Sequence, residues 1–354
     1  MAVNQMSRGL FIGLVVVLIS GHPVEAAGKP FPVIDSWENF YRANREECWP
    51  PFVRLRKPIV HRVGKTIHRL EGTRLVQKKG GSRTTVRIGV LSAPKDSSLL
   101  TVGNIEHFVK EFRNQDVDWI IINGDVGYTS SNIQKVLEPV VKVGIPVLLT
   151  MGNGETITDF NDAVAPLMEK YPHVYNMNFT RFVDTPTITF ISVPGYYDRR
   201  YIYSEDGCYY GPKSLKRLEE IFRRRKGRDI VLVSHGPPKG MGEDAIDQIY
   251  TSESVGDPAL SSLMRKYGVR FGIFGHILEA GGRAVNLKQS SIEGEQWSSS
   301  LLVNAGSVSA IPWRLLDGTL SYGMAMLVTI EKGKIKYSLL KSDLHSIIGS
   351  GEDR

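Results

Sequence analysis

The sequence predicts an α/β fold, a layered core of sheets flanked by helices, and three observations predict it. Short apolar runs of strand length alternate through the middle of the chain with amphipathic stretches of helical period. The runs are apolar throughout, which is the pattern of strands covered on both faces. Polar residues able to bind a ligand stand just past the ends of four runs, Asp125, Asn153, His235 and His276, where α/β sheets build their sites.

Taken in order, residues 36–45 read as a short helix. A Trp49-Pro50-Pro51 break follows, and then a basic stretch from 54 to 87. Strands are expected at 86–92, 119–123, 145–150, 188–193, 230–233 and 271–274, each a run of mostly Val, Ile, Leu or Phe. Helices are expected at 102–112, 133–143, 215–225 and 259–267, where apolar residues recur at three- and four-residue spacing. Beyond 300 the pattern changes to strands at 301–305, 324–330 and 334–340, the last two joined by Glu331-Lys332-Gly333, a turn suited to a hairpin.

The candidate site residues sit in Ile121-Ile122-Asn123-Gly124-Asp125, Met151-Gly152-Asn153-Gly154-Glu155, Val233-Ser234-His235-Gly236 and Ile273-Phe274-Gly275-His276. One carboxylate, one amide oxygen and two imidazoles suit a divalent transition metal such as zinc, manganese or iron better than calcium, which prefers an all-oxygen cage. Taken singly, each residue reads as a turn or a hydrogen-bonded strand end. Their order and common placement point to one shared site.

These blocks resemble those of the calcineurin-like metallophosphoesterases, whose motifs run D-x-H, G-D, G-N-H-[DE], H and G-H-x-H. The resemblance spans residues 86–340 and implies the family's layered β-sandwich flanked by helices, with the strands after 300 in its second sheet. Residue by residue, it implies that Asp125, Asn153, His235 and His276 form the shell of one of the family's two metal ions. The departures fall on the other ion. Ala93 and Lys95 stand in Val90-Leu91-Ser92-Ala93-Pro94-Lys95 where the family has Asp and His, and Leu278 stands at the second His of the last motif. Gly154 replaces the His that assists the leaving group. The resemblance therefore implies at most one metal, with dimetal phosphoester hydrolysis lost or weak.

Lys95 either keeps its head in water, as most lysines do, or places a fixed positive charge where the first ion would sit. Asp96, Glu155 and Glu279 lie near enough in sequence to be replacement ligands. Asn304-Ala305-Gly306-Ser307 resembles the family's N-P-G-S strand end, and the Gly- and Pro-rich 236–242 loop resembles the one after its fourth motif, so both are expected to shape the site. The Tyr-rich run 196–203 reads as a packed surface loop, the alternative being an aromatic rim beside the site.

At the N-terminus, Arg8, an apolar stretch at 10–19 and Val24-Glu25-Ala26 have the build of a signal peptide cleaved after Ala26. The stretch is shorter than the roughly 20 apolar residues a spanning helix needs. The expected layout is a leader at 1–26, an extension at 27–85, the metallophosphoesterase-like part at 86–345 and a tail at 346–354. Cys48 and Cys208 could form one long-range disulfide in an oxidising compartment or remain free thiols in a reducing one. A net charge of +7 favours anionic partners, but no nucleic-acid motif accompanies it. The sequence thus points to a secreted or periplasmic protein with a binding or structural role, its candidate ligands being a phosphoester, another anion or an envelope or extracellular partner. An active mononuclear phosphoesterase is the alternative.

Overall fold

A computed structural model describes residues 30–78 and 84–342. The expected leader and the 346–354 tail lie outside the described residues. Contacts divide the chain at Pro30, and the unit from Phe31 onward carries everything that follows.

Two sheets face one another. The first has the order Lys334–Lys341, Met324–Glu331, Thr85–Leu91, Trp119–Asn123, Val147–Thr150, Val174–Asn176. The second contains Phe182–Asp184, Ile188–Val193, Asp229–Ser234, Phe271–Phe274, Leu301–Asn304 and Ala284–Val285 as consecutive neighbours. Successive residues of each strand point to opposite faces, and both faces are buried, which explains the unbroken apolar text. In Trp119–Asn123, Trp119 and Ile121 pack between the sheets with Val231, Val233 and Phe190. Ile120 and Ile122 pack instead in the cluster that includes Phe108, Phe112, Ile133 and Val136 of the covering helices.

Most of the described α-helices start where a side chain caps them. Ser98 accepts the Thr101 N–H ahead of Leu99–Asn114, and Thr129 accepts the Asn132 N–H ahead of Ser130–Val141. Pro212–Arg224 and Pro258–Tyr267 begin on proline, which costs nothing at a first helical position. The helix Ile157–Lys170 has no counterpart in the sequence reading. Its text carries Thr158, Asp159, Asn161, Asp162 and an internal Pro166, which dilute the apolar periodicity, although Thr156 caps it through the Asp159 N–H.

Two expectations change. The C-terminal hairpin joins the first sheet, not the second, because Met324–Glu331 pairs antiparallel with Thr85–Leu91, Met326 opposite Val90 and Ile330 opposite Val86. The basic stretch beyond Arg54 is largely sheet. Arg54–Val63, Thr66–Gly72 and Arg74–Lys78 extend the second sheet through a parallel pairing of Leu75 with Val183. Their inward residues Leu55, Leu70 and Leu75 are buried among the apolar residues between the sheets, while Arg54, Arg56 and Lys57 stay exposed. No helix among the described residues is long and apolar enough to cross a membrane.

Cys48 and Cys208 are joined in a disulfide with Cα atoms 5.4 Å apart across 160 residues of sequence. Closing so long a loop in the unfolded chain stabilises the fold by about 5 kcal/mol on a chain-entropy account. Reduction, or a Cys48→Ser and Cys208→Ser double change, is expected to lower the melting temperature by several degrees in a scanning calorimeter.

Buried imidazoles set a second sensitivity. The Tyr175 hydroxyl lies 2.6 Å from His68 Nδ1 and 2.6 Å from His61 Nε2, and the His68 ring stacks on Trp119. Burial, then the charges of His61 and His173, push the His68 pKa from 6.5 down to about 3. As pH falls below 6.5 the unfolded chain takes up a proton that the fold refuses, so this stabilisation is complete above 6.5 and drains away toward pH 3. Between pH 7.5 and pH 5 the loss is on the order of 2 kcal/mol. In urea titrations at both pH values His68→Gln is expected to narrow that difference, and an unchanged difference would exclude His68 as its source.

Candidate metal centre

The strands Thr85–Leu91, Trp119–Asn123 and Val147–Thr150 run parallel in one sheet, and Ile188–Val193, Asp229–Ser234, Phe271–Phe274 and Leu301–Asn304 run parallel in the other. Their carboxyl ends lie along one edge of the sandwich. Asp125 and Asn153 come from the first sheet, and His235 and His276 come from the second.

The structure brings all four side chains together. Ligand-capable atoms of Asp125, His235 and His276 lie within 4.8 Å of one another, and Asn153 Oδ1 is 2.9 Å from His235 Nε2. His235 Nε2 is also 3.2 Å from Asp125 Oδ1. The His235 and His276 rings meet edge to face at 5.2 Å. Asp125, Asn153 and His235 are buried, and His276 is half-buried.

Each ring and amide is aimed from behind. His235 Nδ1 donates to the Asn123 carbonyl at 3.0 Å, which leaves Nε2 facing the cluster. The Asn123 amide donates across the sheets to the Ser234 carbonyl, and the Ser92 hydroxyl donates to the Asn123 carbonyl. Asn153 Nδ2 donates to the Tyr201 carbonyl at 2.6 Å, which turns its oxygen toward His235. A backbone carbonyl behind an imidazole is the outer shell that metal-binding histidines use. His235 Nε2 faces two acceptor oxygens, a setting that either a proton or a cation satisfies. The donor set therefore fits a divalent metal ion.

The turns that deliver these groups are strained. Asp125 has φ +51° and His276 φ +66°, and Ala93 and Lys95 in the neighbouring loop have φ +45° and +63°. Such left-handed non-glycine residues cost about 1–3 kcal/mol each and persist because neighbours fix them. The Ala93 N–H donates to the Gly124 carbonyl, and the Lys95 N–H donates to the Asp125 carbonyl at 2.8 Å. Gly152 is needed for close approach, since a Cβ there would lie 2.4 Å from both the Asp125 nitrogen and Oδ1.

Electrostatics explain how a buried carboxylate survives. Burial works to raise the Asp125 pKa, but the charge and hydrogen bond of His235, then the Lys95 ammonium and His276, hold it well below the usual range. For His235 burial works downward, and Asp125 outweighs it so that the imidazole pKa is raised. Burial and the neighbouring His235 charge push His276 down to about 3. Glu155 is fully buried, with Oε1 accepting the Gly152 N–H at 2.7 Å. Burial and the Asp125 charge push its carboxyl up to about 7.

The other sequence candidates separate cleanly. Lys95 is not a solvated loop lysine, because its Nζ lies 3.4 Å from Asp125 Oδ2 with 30% of its side chain exposed. Asp96 is committed elsewhere, accepting from the Ser98 N–H and from the Thr101 and Ser309 hydroxyls. Ala93 and Leu278 are buried and offer no ligand atom. The Gly154 N–H donates to Asp125 Oδ1 at 3.0 Å. The Tyr-rich run does reach the site, with the Tyr196 ring centroid 4.0 Å from that of His276 and Tyr201 at 6.1 Å. Tandem tyrosines in a Gly-bounded loop carry no periodicity that would have placed them there. Asn304 donates to the carbonyls of Ile246 and Ile277, and the Ser307 hydroxyl donates to that of Ala93, so this segment shapes the loops around the site.

The sequence model of the calcineurin-like phosphoesterase family matches residues 101–280, a span that includes Asp125, Asn153, His235 and His276. The chain belongs to the calcineurin-like phosphoesterases. Among solved structures, one chain is covered over 100% of its length by 73% of this one, at 12% identity and a TM-score of 0.53, a likeness that shows the shared fold. A dimetal phosphatase from Danio rerio is similar at 11% identity and a TM-score of 0.46, over 73% of this chain and 99% of that one. GAP50, the anchor in the inner membrane complex of Plasmodium, is similar at 14% identity and a TM-score of 0.46, over 73% of this chain and 85% of that one. Comparison with curated protein sequences gives no match.

The packing at Gly152 gives a direct check. Gly152→Ala is expected to cost about 1–3 kcal/mol in urea unfolding, by forcing Asp125 aside. Gly103→Ala, in the helix Leu99–Asn114 with open space at its Cβ, is expected to stabilise by about 0.4–1 kcal/mol.

Proposed function

We propose that this chain is an exported member of its family that keeps one metal half-site and has lost most or all dimetal phosphoester hydrolysis. It then acts by binding an anionic ligand or an envelope or extracellular partner. The observation that carries this reading is the asymmetry around Asp125. Ligand atoms of His235 and His276 gather with those of Asp125 within 4.8 Å, while Ala93 and Leu278, at the positions the family gives to the other ion, carry none. Asp125, Asn153, His235 and His276 would hold the one ion, whose charge stabilises a phosphoryl oxygen. The chain's own residues keep this site dry and oriented. Asn123 and Tyr201 fix the ligand faces, and the buried glycines bring backbone against Asp125.

The Cys48–Cys208 disulfide supports export, since such bonds persist in oxidising compartments. The apolar segment at 10–19 supplies the matching address. With residues 27–85 as an extension and 86–345 as the family part, the extension's strands widen one sheet without adding a ligand to the cluster. Slow hydrolysis by a single ion is the second reading, favoured by how fully the four-residue shell is kept.

Elemental mass spectrometry of the mature protein is expected to find about one zinc, manganese or iron per chain. His235→Ala and His276→Ala should each lose it, and an aryl phosphodiester assay should show little turnover. Two ions per chain with turnover that falls in both variants would make this an ordinary dimetal enzyme, and no metal at all would leave a fold without its ion.

A further inference from the structure

Asp125 is a carboxylate with two sides. Its Oδ1 faces the Gly154 N–H at 3.0 Å and His235 Nε2 at 3.2 Å. Its Oδ2 faces Lys95 Nζ at 3.4 Å. Lys95, Asp125, Gly127, Tyr128, Gly154 and Glu155 line a narrow depression here, too tight to hold a water. Backbone bonds from Ala93 and Lys95 to Gly124 and Asp125 stitch the two strained turns together. The backbone at Lys95 is therefore fixed, its ammonium is paired with Asp125, and its side chain remains 30% exposed.

We propose that Lys95 is a built-in cation of this site, occupying the Oδ2 side of Asp125 where the family has its other ion and weakening cation binding at the cluster, and offering its charge to an oxygen of a bound phosphoryl group. The inference rests on the half-site reading for its first clause only. A second divalent ion on that side would need Oδ2 and further donors. Oδ2 already faces a positive charge, and Ala93 and Leu278 supply no donor atom. An anion beside Lys95 meets the opposite situation, because an ammonium with part of its surface in water can exchange a solvent contact for a charge-assisted hydrogen bond.

Removing this charge acts in opposite directions on cations and anions, which a merely structural lysine would not do. Lys95→Met keeps the apolar stem and frees Oδ2. Titration calorimetry with Mn²⁺ is expected to show roughly tenfold tighter binding in Lys95→Met at an unchanged stoichiometry of about one. Titration of the same proteins with inorganic phosphate is expected to show roughly tenfold weaker binding in Lys95→Met, with Lys95→Arg close to the parent. Thermal melts confirm that each variant folds, and Lys95→Gln replaces Lys95→Met if the latter does not.

The two readings fail separately. If the parent takes no Mn²⁺, the half-site falls and Lys95 is judged on phosphate alone, where equal affinities in parent and Lys95→Met overturn it. A parent that binds two Mn²⁺, or a Lys95→Met protein with both affinities unchanged, overturns the built-in cation directly.

Discussion

A carboxylate that is 7% exposed is the constraint on which the rest of the site depends. Burying an ionised group without compensation costs more than any single contact returns, so its charge must be matched by partners in the folded state. Here compensation comes from three directions: an imidazole from the second sheet, an ammonium from the preceding loop and a backbone N–H from Gly154. The strained turns follow from this. Asp125 and Lys95 adopt left-handed backbone because only tight turns at the strand ends bring both oxygens against their partners. Gly152 follows too, since any side chain there would occupy the space that the carboxylate fills.

The same constraint joins the two sheets. His235 arrives from the second sheet, yet its ring donates to the Asn123 carbonyl of the first, and the Asn123 amide returns a bond to Ser234. These contacts lie at the carboxyl end of the sandwich. Between the sheets, Trp119, Phe190, Val231 and Ile273 supply non-directional apolar burial, to which the rim adds directional bonds. The directional bonds at the rim fix how far the strand ends can shift. Site and fold therefore share one set of interactions, and the side chains that aim the ligands also lock the edge of the core.

This explains which parts were legible in the sequence. Parallel strands buried on both faces write unbroken apolar text, and Trp119–Asn123, Ile188–Val193 and Phe271–Phe274 fall where that text ends. The four ligand-capable residues were legible because each stands just past such a run. Residues 54–78 hid as a basic stretch because an edge of the sheet has one face in water, so Arg and Lys alternate with the few inward leucines. The hairpin after 320 was read correctly as strands but assigned to the wrong sheet, since nothing local to residues 324–341 specifies that its partner is Thr85–Leu91. Lys95 was left open for a related reason. Whether a loop lysine meets solvent or a carboxylate depends on where a turn 30 residues away places Asp125.

Charge balance connects the half-site with the proposed ligand class. Asp125 and Lys95 cancel as a pair, and with His235 and Asn153 serving as neutral donors, a divalent ion in this shell keeps an excess of about two positive charges. Glu155 is the nearby group able to offset part of that excess, and it is buried with one oxygen already accepting the Gly152 N–H. A doubly charged anion beside Lys95 offsets the rest. On the proposed half-site reading, a site with one cation shell, a fixed ammonium and no private carboxylate for a second ion is biased toward holding a phosphoryl anion. Fast turnover also requires something to protonate the leaving group, and Gly154 stands where the family places that acid. In the proposed reading the half-site and the lysine act in the same direction, toward binding over turnover.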